Sequence, residues 1–136
     1  MIIYKSSTKG IKSEQLKDFF VGWSDPPSQE THLQILQNSA FVIMAIDNQT
    51  NKVIGFVNAI SDKILSAYIP LLEVLPEYQK QGIGKELMIR MLDKLNKFYM
   101  IDICCDEQLK PFYQKFGLSP MQAMGKRNYE FQKGNI

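Results

Sequence analysis

Short apolar runs separated by turn residues divide the chain into predicted strands. Runs of this kind predict strands at residues 2–4, 40–46, 53–60, 64–74 and 99–105. The polar residues 47–51 have turn chemistry and join the second and third strands as a hairpin. An alternating pattern predicts a last strand at residues 126–132.

Apolar residues at helical spacing predict four helices between these strands. Ser13 is the predicted N-cap of the first, which contains Leu16, Phe19 and Phe20. A Gly- and Pro-containing loop, residues 22–27, ends it, and Ser28 begins the second helix. The third occupies residues 83–97 and the fourth residues 110–116. The order β-α-α-β-β-β-α-β-α-β indicates α+β or α/β architecture, which the pattern alone does not resolve.

One strand, turn and helix form a combination with chemical meaning. Pro76 ends the strand at residues 64–74, because proline has no N–H to donate to a neighbouring strand. Gly82 and Gly84 follow in a polar turn, and the third helix begins there. Free N–H groups and the positive end of the helix dipole would converge at this point. Such a site suits an anion, and a diphosphate above all.

Two well-known phosphate loops do not match this turn. The dinucleotide fingerprint requires a glycine where Leu87 stands, and the P-loop requires a glycine at Gln79 and a Ser or Thr at Glu86. The spacing Gln79-x-x-Gly82-x-Gly84 instead resembles the acetyl-CoA loop of the GNAT acyltransferase superfamily. The alternative is an ordinary strand-to-helix turn whose glycines only permit close packing.

A second motif resembles the same family. The stretch Phe112-Tyr113-Gln114-Lys115-Phe116-Gly117-Leu118 is similar to its helix carrying Phe-Tyr, which a glycine ends. A predicted helix and a predicted strand separate the two motifs, as in the family, and the resemblance covers about residues 53–118. It implies an α+β, sandwich-like GNAT fold. The mixed sheet would have six or seven strands with about four helices and would splay between its fourth and fifth strands.

The resemblance implies transfer of an acetyl group from acetyl-CoA to a primary amine of a small molecule or peptide. Gln79 would brace the loop, and the backbone of Leu72 and Val74 would pair with the pantetheine arm. An N–H near Val74 would stabilise the oxyanion. Asp106 stands where the family often has an asparagine that holds the arm, so that contact must be lost, reversed or replaced. The amides expected to hold the diphosphate are those of Gln81, Gly82, Ile83, Gly84 and Lys85.

Two side chains are candidates for moving protons. Tyr113 is the general acid that the resemblance implies, and a packed aromatic residue is the alternative. Glu73 is the candidate base, since it is a carboxylate inside an apolar strand; a rim carboxylate facing water or a salt bridge is the alternative. Asp102 and Asp106 are reserve candidates, and some family members rely on solvent. The region around Trp23, Tyr68 and residues 127–129 would line an acceptor pocket, or would only provide packing.

Length and composition limit the expected number of domains, the binding partners and the location of the protein. The length of 136 residues predicts a single domain over residues 1–136, and the net charge of +2 gives no reason to expect a nucleic-acid partner. We expect no membrane span, no export signal and no metal site, and therefore a cytoplasmic protein. Cys104 and Cys105, adjacent in a predicted strand, are expected to be buried thiols on opposite faces without a bridge.

The sequence therefore predicts a small cytoplasmic N-acetyltransferase that acts by direct attack, either a monomer or a homodimer. No Cys/His pair that would activate a thiol for a covalent intermediate is evident. One alternative is a non-catalytic acyl-CoA-binding or regulatory module of the same fold. Another is a nucleotide-binding domain unrelated to coenzyme A. The sequence does not identify the amine.

Overall fold

The computed structural model, which describes residues 1–135, contains one mixed sheet and three α-helices. The strands are β1 (Ile2–Lys5), β2 (Phe41–Asp47), β3 (Lys52–Ser61), β4 (Ser66–Val74) and β5 (Met100–Ile103). The helices are α1 (Gln29–Gln37), α2 (Ile83–Lys94) and α3 (Lys110–Gln114). The α+β class is confirmed. Within the described residues, the predicted six or seven strands and about four helices are wrong, since five strands and three α-helices are present.

The sheet has the order β1-β2-β3-β4-β5. The first four strands are antiparallel, and β5 joins β4 in parallel after the α2 crossover. Helix α2 lies very close to the sheet at Gly55. A Cβ atom at this glycine would lie 3.2 Å from Leu87 Cδ1 and 3.4 Å from Ile83 Cγ2. The absence of a side chain at Gly55 therefore lets α2 pack tightly against β3.

The helix predicted from Ser13 through Phe20 is wrong. Only a short 3-10 turn, Ser13–Gln15, forms there. Asp18 and Phe20 have φ angles of +74° and +63°, and a right-handed helix cannot contain residues in that conformation. The helical spacing of Leu16, Phe19 and Phe20 reflects burial instead. All three belong to an irregular loop and are buried in the hydrophobic core of the protein.

The strand predicted at residues 126–132 is also wrong. This segment contains a 3-10 turn, Tyr129–Phe131, and residues 119–131 are all exposed. Its end is held by a side chain rather than by a ladder of backbone hydrogen bonds. The Gln132 side-chain oxygen Oε1 accepts hydrogen bonds from the Asp25 N–H at 2.7 Å and from the Ser24 hydroxyl at 3.3 Å.

Helix α1 begins as predicted. The Ser28 hydroxyl accepts a hydrogen bond from the Thr31 N–H at 3.1 Å and so caps the helix. One turn later, His32 is 1% exposed and packs edge-on against the rings of Phe19 and Phe56, with centroid distances of 5.3 and 4.5 Å. Burial lowers the pKa of His32 to about 4, so the imidazole is neutral at pH 7.

Candidate active site

Strands β4 and β5 separate halfway along β4. Their pairing runs from Ser66 opposite Met100 to Ile69 opposite Ile103 and then stops. The next residue in β4 is Pro70, which cannot donate to a neighbouring strand, and β4 continues to Val74 paired only with β3. Residues 70–74 are half-buried and have no partner strand on this side; we call the gap the split.

Backbone direction in β4 decides which groups face the split. The Leu75 N–H donates to the Ile54 carbonyl of β3 at 2.9 Å, so Leu75 faces β3. Because backbone groups alternate along a strand, those of Val74 and Leu72 face the other way, into the split. The Gln79 side chain occupies the Val74 carbonyl, so the Val74 N–H and the backbone of Leu72 form the strand edge to which an extended, amide-containing ligand can add.

The loop after β4, residues 75–82, which we call the glycine loop, is held at both ends, and the Tyr78 hydroxyl donates to Asp47 Oδ2 of β2 at 2.8 Å. The Gln79 side-chain nitrogen Nε2 donates to the Val74 carbonyl at 2.9 Å and ties the loop to the end of the strand. Lys80 and Gly82 have φ angles of +62° and +82°, and Gly82 precedes the first residue of α2. Glycine adopts this conformation without the penalty that a Cβ atom brings.

The turn into α2 presents a row of backbone donors without partners. Within residues 1–135, the N–H groups of five consecutive residues donate no hydrogen bond to the protein: Gln81, Gly82, Ile83, Gly84 and Lys85. The Glu86 N–H is the first that the helix uses, since it donates to the Gly82 carbonyl at 3.0 Å. Free amides together with the N-terminal end of a 12-residue helix make an anion site.

Helix α3 brings an aromatic pair to this region. A Cβ atom at Gly84 would lie 3.8 Å from Phe112 Cζ and 3.8 Å from Val74 Cγ2, so α3, the α2 turn and β4 meet there. Tyr113, whose ring lies 5.0 Å from that of Phe112, is 8% exposed. Burial raises the pKa of Tyr113 to about 12, so its hydroxyl is protonated at neutral pH and is a weaker acid than that of an exposed tyrosine.

Glu73 occupies an unexpected position. Its Oε1 accepts a hydrogen bond from the Phe20 N–H at 2.9 Å, and its Oε2 accepts one from the Val21 N–H at 3.3 Å. It lies opposite Phe56 of β3, so its side chain is on the same face of the sheet as that phenylalanine. The carboxylate thus faces the irregular loop near the N-terminus, and two of its four acceptor positions are occupied.

Comparison with known proteins agrees with this geometry. The sequence profile of the Acetyltransferase (GNAT) family matches residues 8–118. The chain belongs to the GNAT acetyltransferase family. An uncharacterized N-acetyltransferase, ycf52, of Pyropia yezoensis is 31% identical over 122 residues, which cover 85% of this chain and 69% of that protein. These relatives identify an acetyltransferase enzyme.

Solved structures described as acetyltransferases superpose on nearly the whole chain. A crystal structure from Deinococcus radiodurans R1, provisionally described as an acetyltransferase, has 43% identity and a TM-score of 0.96, and the match covers 99% of this chain and 94% of that one. The GNAT family protein SP0256 of Streptococcus pneumoniae TIGR4 has 28% identity and a TM-score of 0.76, covering 94% and 98%. The mixed GNAT sheet expected from the motifs is confirmed.

Three residues of interest follow β5: the two cysteines that the sequence predicts to lie inside the strand, and Asp106. Cys104 and Cys105 are exposed and follow the strand, so their predicted burial within it is wrong. Asp106, at the GNAT asparagine position, is exposed and precedes a 3-10 turn, where its carbonyl accepts a hydrogen bond from the Leu109 N–H at 2.9 Å. Its side chain makes no hydrogen bond within the described residues.

The side opposite α2 contains the residues considered for an acceptor pocket. The neighbouring Cys104 thiol, together with burial, raises the pKa of Tyr68, and the nearby Arg127 opposes this shift. Trp23 is 40% exposed and its ring lies 4.8 Å from that of Phe20. Sequence reasoning missed Gln132, because its partners are 107 and 108 residues away and no local pattern indicates them.

Residues 1–135 contain no group of three or more His, Cys, Asp or Glu side chains arranged to hold a metal ion. In the same part of the chain, no helix is both long and apolar enough to span a membrane. Some relatives are chloroplast proteins by name: GCN5-related N-acetyltransferase 2, chloroplastic, of Arabidopsis thaliana is 38% identical over 71 residues, covering 51% of this chain and 28% of that protein.

Proposed function

We propose that this chain transfers an acetyl group from acetyl-CoA to a primary amine of a small molecule or peptide by direct attack. The observation that carries the proposal is the row of unpartnered amides from Gln81 to Lys85 beside an open split in the sheet. An anion site and a free strand edge match the two ends of a ligand that has a diphosphate and an amide-containing arm. The GNAT family uses acetyl-CoA, which has both.

In the proposed complex, the five amides of the α2 turn bind the diphosphate, and the exposed Lys85 adds positive charge. Leu72 and Val74 offer backbone groups to the pantetheine arm. The Val74 N–H donates to the oxyanion that forms when the amine attacks, an interaction worth about 3 kcal/mol in the transition state. Asp106 faces the arm from the β5 side.

Tyr113 is the proposed general acid. Its hydroxyl is protonated at neutral pH and can donate a hydrogen bond, and then its proton, to the departing thiolate, although burial raises its pKa to about 12 and makes that transfer less favourable than from an exposed tyrosine. The amine must lose a proton to Asp102, Asp106 or water; Glu73, the base that the sequence predicts, is the alternative if its two backbone hydrogen bonds leave it free to act. Glu73 keeps two free acceptor positions beside those that bind Phe20 and Val21.

The proposal extends to the setting of the reaction. Residues 1–136 are proposed to form a single domain that works as a monomer or homodimer. A cytoplasmic location stays a prediction, and the names of the Arabidopsis relatives give a chloroplast location as the alternative to test.

One observation favours a second function. The Glu73 carboxylate already binds two backbone amides. If no other residue acts as the base, the chain has no carboxylate that can take the proton from the amine. A non-catalytic acyl-CoA-binding or regulatory module with the same fold would then result.

The test separates these functions. Calorimetry with acetyl-CoA and with ATP measures binding, and thioester consumption is then followed with peptides, polyamines, amino acids and aminoglycosides. The proposal predicts binding of acetyl-CoA and not of ATP, with consumption for at least one amine class. Binding without consumption across the panel would favour the regulatory module, and absence of acetyl-CoA binding would refute both.

A further inference from the structure

A strained segment lies over the face of the sheet opposite α2. We call residues 18–25 the strap. Asp18, Phe20 and Gly22 have φ angles of +74°, +63° and +86°, so three of its first five residues are left-handed. This conformation is unfavourable for any residue with a Cβ, and most of all for a bulky one such as Phe20. Contacts outside the strap must therefore keep it in place.

The contact with the backbone at the start of the strap comes from β4, beside an ion pair in which Lys52 Nζ binds the Asp18 side chain at 2.9 Å. The two oxygens of the Glu73 carboxylate bind one N–H each, those of Phe20 at 2.9 Å and Val21 at 3.3 Å. Hydrogen bonds to a charged acceptor are stronger than neutral ones. The anchored amides thus belong to a left-handed residue and to its neighbour, so the carboxylate holds the strap where it is most strained.

A second anchor holds the other end of the strap. Gln132 accepts hydrogen bonds from the Asp25 N–H and the Ser24 hydroxyl. Between the anchors, Trp23 packs on Phe20 and remains 40% exposed. The strap therefore presents a fixed aromatic surface to solvent.

Strand register places this surface beside the split. Glu73 pairs with Phe56 and Tyr68 with Ile60, and between these pairs the register shifts, because two residues of β4 lie opposite one of β3. The shift offsets the five-residue spacing in β4, so Glu73 and Tyr68 both lie on the face that Phe56 and Ile60 share. Gly55, the neighbour of Phe56, faces α2 and hence the other side. A ligand held at the α2 turn and a second reactant beside the strap would thus approach the split from opposite faces.

We infer that Glu73 is a positioning residue of the acceptor site: its carboxylate fixes the strained strap, and the strap forms the amine-side wall of the split. This inference rests on the proposed function. It differs from a role as base, because Glu73 then acts through the strap and not on the amine. Glutamine cannot replace it fully, since one of its two terminal atoms is a donor that would face a second donor.

The central comparison uses two glycines with equal local surroundings. Gly22 and Gly10 both have left-handed φ angles, +86° and +80°, and a Cβ at either position would meet no atom within 4 Å. Alanine at either position therefore strains the backbone without a steric clash. Gly22 lies in the strap, whereas Gly10 lies in the separate turn in which the Ile11 N–H donates to the Thr8 carbonyl.

We expect Glu73→Gln to raise the KM for the amine about tenfold, with kcat changed less than about threefold and an unaltered pH–rate profile. Gly22→Ala should raise the same KM in the same way, and Gly10→Ala should not, even if both lower the melting temperature equally. Acetyl-CoA affinity should be unchanged in all three variants.

Two results would overturn the inference. The first is a Glu73→Gln enzyme that loses kcat and the acidic limb of its profile at constant KM, which identifies a base. The second is an unchanged KM in Gly22→Ala. If no amine is consumed, the proposed function fails separately. Amide hydrogen exchange at Phe20 and Val21 then decides the inference, since faster exchange in Glu73→Gln supports the anchor and unchanged exchange refutes it.

Discussion

The glycine loop and the strap are both irregular segments with left-handed residues, and both border the split. The glycine loop contains Lys80 and Gly82 in this conformation, and the strap contains Asp18, Phe20 and Gly22. They differ in what holds them. The side chains of the glycine loop bind Val74 and Asp47, 5 and 31 residues away, whereas the side chains that bind the strap belong to Lys52, Glu73 and Gln132, which lie 34 to 108 residues away.

This difference matches the ligands that each segment would meet. An anion site built from backbone amides depends little on the side chains around it, so one local loop can serve every member of a family that shares a donor. A wall built from aromatic side chains and distant anchors changes whenever one anchor changes. We therefore expect substitutions in the glycine loop to affect binding of coenzyme A, and substitutions near the strap to affect the acceptor or the stability.

The largest effect should come from Gly82→Asp. A Cβ at φ +82° costs about 1–2 kcal/mol, and the carboxylate adds a negative charge beside the bound diphosphate. We expect the Kd for acetyl-CoA, measured by calorimetry, to rise about 1,000-fold. Open space surrounds the Cβ position, so the fold should persist.

Gly84→Ala is the matched control. Its Cβ would lie at ordinary contact distance, 3.8 Å from Phe112 Cζ and from Val74 Cγ2, in a helical conformation that alanine adopts readily. Affinity should stay near that of the natural chain. If Gly82→Asp binds acetyl-CoA normally, the diphosphate does not sit at these amides and the contrast between the two segments is lost.

The second effect concerns the core beneath the strap. The pKa of His32 is lowered from 6.5 to about 4, so the folded chain binds a proton less readily than the unfolded one. Stability from this group is complete above pH 6.5 and is lost as the pH falls to 4, an effect of up to about 3 kcal/mol. Urea unfolding of His32→Leu should show a smaller loss between pH 7 and pH 4 than the natural chain.

Because His32 is the only histidine, the difference between the two chains in this pH range is specific to it. The leucine side chain fits the apolar surroundings of Phe19, Phe20 and Phe56 without two buried ring nitrogens that lack protein partners. Acetyl-CoA affinity of the folded variant at pH 7 should not change. Equal acid sensitivity of both chains would show that His32 is protonated in the folded state at its ordinary pKa.

The same contrast explains which parts of the structure could be predicted from the sequence. The glycine turn into α2, the cap at Ser28 and the β2–β3 hairpin were predictable, because a hydrogen bond within a few residues supports each of them. The false helix at Ser13 arose from a genuine periodicity, since Leu16, Phe19 and Phe20 are buried but in a left-handed loop. Its anchor, Glu73, is distant in sequence, and no local propensity indicates such a bond.

The third effect lies between the two segments, at Tyr113. Replacement by phenylalanine keeps the packing on Phe112 and removes only the hydroxyl. We expect kcat to fall about 100-fold, because a positioned acid contributes at least this much, with acetyl-CoA affinity nearly unchanged. Steady-state kinetics and calorimetry on the same preparation check both. A variant with full turnover would mean that the thiolate leaves without help from Tyr113.

The smallest effect should come from Gln79→Ala, which removes the tie between the glycine loop and β4. The hydrogen bond from Gln79 Nε2 to the Val74 carbonyl is exposed, so its loss should cost about 1 kcal/mol and weaken acetyl-CoA binding about fivefold. Gln81→Ala is the control, since the Gln81 side chain makes only a 3.5 Å contact with the Glu77 carbonyl. If Gln79→Ala raises the KM for the amine and leaves acetyl-CoA binding intact, the loop and the strap are coupled through β4. The carbonyl that Gln79 binds belongs to Val74, the residue after Glu73, so such coupling would pass through the backbone between these two residues.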